Sequence, residues 1–418
     1  MKKFSLVAIL MFFAAASYAG GYRVSTQGQR ALAMGHSGVA VVNSAELAFF
    51  NPAGLVYLEN KLNISAGVTG VISNVKWQNE MTGGYAETEK SIGTPFYLYA
   101  SYAVTENLAL GLSVYTPYGS SVEWPTDWAG SHLINNIDLQ AIYIQPLVSF
   151  KLSEYFSVGG GPIYVTGAVN FNRNINRTLT DEQGVRSNVE VDASGVNAWG
   201  WSASAMFSPT ENFRIGFNYR SEIILEAENG DATFNNVPNS PLAPVSSGTV
   251  AFDAELPMPA ELTVGMSYQF CDKWLFAFDF NRTFWGVYES LDIDFAPENI
   301  PDSFNPRNYK NSSTYRFGLQ YAALDKLDLR LGYYFDESPV QSGYFAPETP
   351  RNDSHGYTGG FSYQITPKIA VDASFVYLRF EEVNESYDHY QENGQEVSFG
   401  GTYKSNAFLP GLGVTVKL

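Results

Sequence analysis

The chain has 418 residues, of which 15% are aromatic (Tyr 27, Phe 29) and only 16% charged, whereas soluble domains usually carry about a quarter charged residues. A mean hydropathy of −0.13 excludes a bundle of membrane helices, and no stretch after the N-terminus offers the roughly 18 uninterrupted apolar residues such a helix needs. The net charge of −17 argues against nucleic acid as a partner, since that demands a basic surface; what remains favoured is a transmembrane barrel, whose strands face lipid at every second position.

Residues 1–19 read as a signal peptide. Lys2 and Lys3 form the basic end, Leu6 to Ala16 an apolar core too short for an anchor, and Ser17-Tyr18-Ala19 a small-x-small cleavage site. Export is the expectation, with cleavage after Ala19 or Gly20. Cys271 is the one cysteine, so the fold is not stapled by disulfides.

Residues 20–58 break the pattern of everything that follows. Gly28, Gly35 and Gly38 with Ala31, Ala33 and Ala40 make a chain of small residues. Ser44 is placed as the N-cap of a short helix, with Glu46 at its positive end and Leu47 and Phe50 on one face. Asn51 precedes Pro52, which disfavours continued helix, so the chain is expected to turn there. The segment reads as an internal plug rather than an N-terminal strap.

Residues 59–418 alternate apolar and polar in runs of about ten, the length of a tilted membrane strand. Tyr315, Phe317, Leu319 and Tyr321 turn at Leu324-Asp325-Lys326 into Leu329, Leu331, Tyr333 and Phe335. The same unit recurs around Ser208-Pro209-Thr210-Glu211, Cys271-Asp272-Lys273 and Thr366-Pro367-Lys368. Two more hairpins turn at Thr105-Glu106-Asn107 and Ser153-Glu154-Tyr155. With one strand near 61–73 and one near 406–418, the tally is 14, an even number as bacterial barrels require. Both termini then fall on the short-turn, periplasmic side. Long connections are expected opposite, near 74–92, 117–138, 171–196, 227–258, 287–312, 338–354 and 384–403. The fold class is therefore all-β: a 14-stranded antiparallel transmembrane β-barrel with an N-terminal, partly helical hatch inside the lumen. A soluble sandwich or propeller would not account for the one-sided loop lengths.

Chemistry finds little purchase. The four His are His36 in the plug and His132, His355 and His389 in loops, no Ser stands in a nucleophile elbow, and no metal-ligand spacing appears. Gly159-Gly160-Gly161 lies within a strand and is not a phosphate loop. No enzyme activity, cofactor or metal is expected. Glu381, Glu382, Glu385 and Asp388 read as solvated loop charge in preference to divalent-cation bridging to lipopolysaccharide.

Several stretches resemble the FadL family of outer-membrane long-chain fatty acid transporters. They are Gly21-Tyr22-Arg23, Gln27 to Gly35, Gly38-Val39-Ala40, Phe50-Asn51-Pro52-Ala53-Gly54-Leu55, and Leu256-Pro257 with Pro259 to Gly265. Arg316 to Gly318, Leu331 to Tyr334, Ser338-Pro339, Thr349 to Asp353 and the strand through Gly359 and Gly360 extend the likeness to the C-terminal third. The resemblance implies a monomer in the outer membrane of a Gram-negative-type bacterium, surrounded by lipid and lipopolysaccharide. It would take up hydrophobic molecules, most readily long-chain fatty acids, past a hatch shaped by Asn51, Pro52, Ala53, Gly35 and Gly38, and release them sideways through the wall. Aromatic hydrocarbons are the alternative cargo, and a general porin or structural barrel the alternative role. A carboxylate cargo would need a cation in the lumen. Strand parity puts Arg214, Arg220, Arg316 and Arg330 inward, where each serves either as such an anchor or as a partner of the plug or of lumen acids such as Asp328 and Asp372. Trp124, Trp128, Phe234 and Phe252 in the loops are expected to form an outer capture groove or to anchor at the interface.

Overall fold

The computed structural model describes residues 21–89, 92–241 and 243–418; the segment read as a signal peptide lies outside them. The sequence alternation becomes an alternation of outside and inside. Leu329, Leu331, Phe361, Tyr363, Phe375 and Leu412 are exposed, whereas Asn63, Ser113, Ser149, Asn281, Thr314 and Asp372 are buried. Apolar outside and polar inside is the inverse of a soluble sandwich and suits a hydrocarbon surrounding.

Fourteen strands form one antiparallel ring. In chain order they are β1 (Leu62–Thr69, continued by Val71–Asn79), β2 (Phe96–Thr105), β3 (Leu108–Glu123), β4 (Asn136–Ser153) and β5 (Phe156–Asn174). Next come β6 (Asn188–Thr210), β7 (Phe213–Arg220, continued by Ile223–Asn235), β8 (Glu261–Cys271, preceded by Gly248–Met258) and β9 (Trp274–Thr283). The last five are β10 (Ser312–Leu324), β11 (Leu327–Asp336), β12 (Ser354–Thr366), β13 (Ile369–Phe380) and β14 (Gln395–Lys417). Each strand pairs with the next, and β1 closes on β14 with Asn63 opposite Lys417 and Thr69 opposite Gly411. Closure satisfies backbone groups that lipid could not.

Four of the six short turns share a device. Thr105, Ser153, Thr210 and Thr366 each accept a main-chain N–H two or three residues on, from Asn107 (3.2 Å), Tyr155 (3.3 Å), Phe213 (3.1 Å) and Lys368 (3.2 Å). A hydroxyl held this way reverses the chain without a long loop.

The opposite face differs from expectation. Much of what was expected as loop is strand: Val71–Asn79, Gly84–Glu87, Ile223–Asn235, Gly248–Met258 and Val383–Glu392 prolong the ladder. β6 and β14 run 23 residues each, about twice a bilayer crossing. The reason is a reversed code. Above the membrane the inward positions are apolar, with Val189, Val191, Ala232, Phe234 and Phe252 in one buried cluster, so the lipid-facing rule did not register them. Trp124, Trp128, Phe234 and Phe252 are all buried here. Trp124 and Trp128 stack at 4.1 Å within a packed cluster, so they form neither a capture groove nor an interfacial belt.

Residues 21–58 lie inside the ring. Two one-turn helices, Gln29–Leu32 and Leu47–Phe50, and a 3-10 helix, Pro52–Tyr57, carry them. Ser44 does not cap the second helix: Glu46 stands at that position, without a side-chain capping bond. The Glu46 carboxylate instead accepts the Arg30 and Ala31 N–H groups, both at 3.1 Å, at the start of the other helix, where free N–H groups favour negative charge. Asn51 is extended, as its place before Pro52 requires, and its Oδ1 caps the 3-10 helix by accepting from Ala53 N. Where hatch backbone meets wall, the wall carries glycine. A Cβ on Gly332 would come within 2.0 Å of the Gly35 nitrogen, and one on Gly159 within 2.6 Å of the Ala53 nitrogen. Gly35 has φ 68°, a conformation that glycine adopts freely.

Candidate functional site: two chambers and the arm between them

The site begins with a fault in β3. Its ladder with β2 ends at Tyr97 opposite Tyr115, and its ladder with β4 shifts register between Tyr115 and Tyr118. Pro117, in the bulge, has no N–H to give. The N-terminal arm takes up the freed edge: Val24 N donates to Pro117 O at 2.7 Å, and Gly119 N to Tyr22 O at 2.9 Å.

In an extended segment successive side chains point opposite ways, and the arm uses this. The Tyr22 ring meets Trp285 and Tyr288 edge-on, at 5.0 and 5.4 Å between centroids, and its hydroxyl donates to Pro257 O. Arg23 faces the other way. Its guanidinium donates to Asn281 Oδ1 and Thr283 Oγ1 at 2.7 Å, and to Thr314 Oγ1 and Asp336 Oδ1 at 2.9 Å, with Glu261 at 3.6 Å. One side chain thus ties the arm to four strands, β8 to β11.

On the Tyr22 side lies a mainly apolar, partly open chamber of about 1170 Å³. β4 to β7 supply Ile137, Leu139, Val169, Val191 and Leu225, and Phe252 and Leu256 precede β8. The polar groups include Arg173, Arg307, Glu348, Asn305 and Glu255. Arg307 is spoken for: it pairs with Glu348 at 2.5 Å and donates to the Tyr387 hydroxyl at 3.0 Å. Burial opposes its charge, but Glu348 more than offsets that, and its pKa is raised. Arg173 has only neutral partners, the His132 carbonyl (3.3 Å) and Ser303 Oγ (2.9 Å). Among the described residues no carboxylate forms an ion pair with it. His132 is neutral, its pKa pushed down to about 4 by burial and by Arg177 and Arg173. Sequence reading missed Arg173 because it stands where the strand was expected to have become loop. Its parity with Val169 and Phe171 was the available signal.

On the Arg23 side lies a smaller, polar chamber of about 370 Å³, lined by the arm, by His36, Phe49 and Phe50 of the hatch, and by Asn218, Arg220, Glu261, Thr263 and Arg316 of the wall. Two of the four arginines expected inward, Arg220 and Arg316, meet here. Arg220 donates to Phe49 O at 3.0 Å and lies 3.9 Å from Glu261. The other two lie elsewhere. Arg330 is held by Gln320 (2.8 Å), Ser362 (2.5 Å) and Asp328 (3.3 Å), and Arg214 is half-buried near the short-turn end of β7. Asp372, expected to pair with a wall arginine, pairs with Arg30 of the hatch at 3.0 Å.

The hatch residues singled out from the sequence are all attachment points. Asn51 Nδ2 donates to Val39 O (2.8 Å) and Ala205 O (3.1 Å). Ala53 N donates to Ser204 Oγ (2.9 Å), while its carbonyl accepts from Ser149 (3.0 Å) and Ser157 (2.7 Å). Pro52 and Ala53 rest on Gly159. Gly35 N donates to Thr358 Oγ1 at 2.8 Å, and Gly38 N to Asp279 Oδ2 at 2.8 Å.

A family model described as outer membrane protein transport protein (OMPP1/FadL/TodX) matches residues 10–418. The chain is 25% identical to outer membrane protein P1 of Haemophilus influenzae, over 92% of each. A solved FadL homologue of Pseudomonas aeruginosa superposes with TM-score 0.82 at 19% identity, covering 95% of this chain and 99% of that one. The toluene transporter TodX of Pseudomonas putida superposes with TM-score 0.73 at 17% identity, covering 93% and 97%. The barrel with its hatch, the chambers inside it and the match along nearly the whole chain lead to one assignment: this protein belongs to the OMPP1/FadL/TodX family of outer-membrane transporters for hydrophobic compounds.

Proposed function

We propose that the cargo is a long-chain fatty acid or a similar amphipathic carboxylate, held with its chain in the apolar chamber and its head on Arg173. The observation that carries this reading is one guanidinium that forms no ion pair with any described residue, on the lining of a mainly apolar cavity whose other arginine is already paired with Glu348. Each CH₂ moved from such a cavity into water costs about 0.8 kcal/mol, so an apolar path suits this cargo and a watery pore does not. Tyr22, on the lining, closes the chamber toward the hatch. The wall fault at Thr116-Pro117, where β3 leaves β2 and is covered by the arm, supports release sideways into the bilayer once the arm moves. In this reading the protein is a monomeric conduit among lipid and lipopolysaccharide, and it does no chemistry on its cargo.

Toluene-sized aromatic hydrocarbons are the second reading, favoured by Phe171, Phe252, Tyr22 and Tyr288 on the same lining. Binding of palmitate and of toluene to purified protein separates the two. Arg173→Ala is expected to weaken palmitate at least about tenfold, the worth of a charge-assisted contact, and to leave toluene unchanged. Palmitate affinity untouched by that substitution would sink the carboxylate reading.

A further inference from the structure

We propose that the polar chamber on the inner side of the arm is a second anion station, in which Arg316 receives the carboxylate of a molecule leaving the apolar chamber. This rests on the amphipathic-acid reading above and adds a place and a residue to it. Three guanidinium groups, of Arg23, Arg220 and Arg316, line the chamber against one carboxylate, Glu261. Arg23 and Arg220 share that carboxylate, at 3.6 and 3.9 Å. Arg23 is also engaged by Asp336, and Arg220 by the Phe49 carbonyl.

Arg316 stands apart. It is 5% exposed, and it makes no hydrogen bond or ion pair with any other described residue. Asp279 is directly opposite it on β9. Its Oδ2 accepts from Gly38 and Val39 N–H of the hatch at 2.8 and 3.1 Å, and its Oδ1 is buried without a hydrogen-bond partner, so the carboxylate faces Arg316 without bonding to it. A buried guanidinium that offers five N–H donors in a planar fork is matched to a carboxylate. Other lining groups lack partners too: Nε of Arg23 and of Arg220, both donors, and the two ring nitrogens of His36, one donor and one acceptor in the neutral ring, are buried without a hydrogen bond. The Gln27 main chain gives His36 some polar support. The unpartnered acceptors are Asn218 Oδ1 and one His36 nitrogen on the lining and Asp279 Oδ1 beside it, fewer than the N–H groups that the Arg316 fork adds to the other two arginines. Phe49, Phe50, Val39 and Pro117 on the same lining would meet the first methylenes behind the head group. The arm borders both chambers, with Tyr22 on the lining of the apolar one and Arg23 and Val24 on the lining of this one.

The test uses the full-length protein in detergent, isotopically labelled at histidine, with decanoate and decanol as probes. The His36 resonance is assigned by its loss in His36→Asn, and calorimetry reports binding to the protein as a whole. Decanoate is expected to shift the His36 resonance and decanol to leave it in place, although both bind. Arg316→Gln should abolish the shift and weaken decanoate about tenfold, with Arg316→Lys retaining part of it. The proposal is overturned if both probes bind and His36 does not respond to decanoate, or if Arg316→Gln responds as the wild type does. If neither probe binds at all, the transport reading falls with it. The wild-type titration decides the matter even where a variant fails to fold.

Discussion

Asn51 spends its whole side chain on structure: the amide nitrogen binds a hatch carbonyl and a wall carbonyl, and the oxygen caps the turn after Pro52. Asn51→Ala removes three hydrogen bonds to main chain. Ala53 N keeps Ser204 Oγ, so the groups left short are the Val39 and Ala205 carbonyls, at about 1–3 kcal/mol each where water does not replace the bond. The expected result is a hatch cut faster by protease while the barrel stays folded; equal cleavage in wild type and variant would show that the contacts carry no weight. This residue was legible in the sequence because Asn before Pro after a short helix is a local signal. The arginines were legible only by half. Strand parity gave the inward faces of Arg220, Arg316 and Arg330, which are 6%, 5% and 2% exposed. It could not say which of them has a partner, because that depends on the register of adjacent strands, which brings Glu261 to Arg220 and Ser362 to Arg330, and on hatch placement, which brings Phe49 to Arg220.

At the level of elements, short polar turns and ten-residue strands were readable because membrane thickness sets their length and lipid sets their pattern. The outer extensions were not, since there the inward positions turn apolar and the alternation loses its meaning. The hatch helices were half readable, as their caps come from elsewhere in the chain. Glu46 is the clearest case, serving Arg30 and Ala31 sixteen and fifteen residues back. Burial, with Asp372 beyond, raises its carboxyl from 4.5 to about 7, against the pull of the two N–H bonds. A raised carboxyl pKa favours the protonated folded form. Its contribution is therefore full below about pH 4.5 and is lost as pH rises through about 7. The unfolding midpoint is expected to fall between about pH 5 and about pH 8, and Glu46→Gln should remove much of that slope. An unchanged slope in the variant would assign the effect to another group.

At the scale of the whole molecule, the hatch fills a ring that would otherwise leak. Open barrels of about 16 strands hold an aqueous channel, whereas this lumen is filled by a tightly seated plug that leaves chambers on either side of its N-terminal arm. Purified protein in a planar bilayer is expected to pass no large steady ion current; a porin-like current would refute a closed lumen. The wall glycines that seat the plug bear on a different question, that of biogenesis. Gly159 belongs to β5, Gly332 to β11, and Gly411 and Gly413, against Gln29, to β14. The hatch emerges first during synthesis, but its seat is finished only when the last strand has been made and has met β1. No early strand hairpin offers the plug a complete home, and contacts so distant in sequence form slowly. Barrel closure and plug docking are therefore one late event, and a side chain added at Gly332 would show itself first as a failure of assembly.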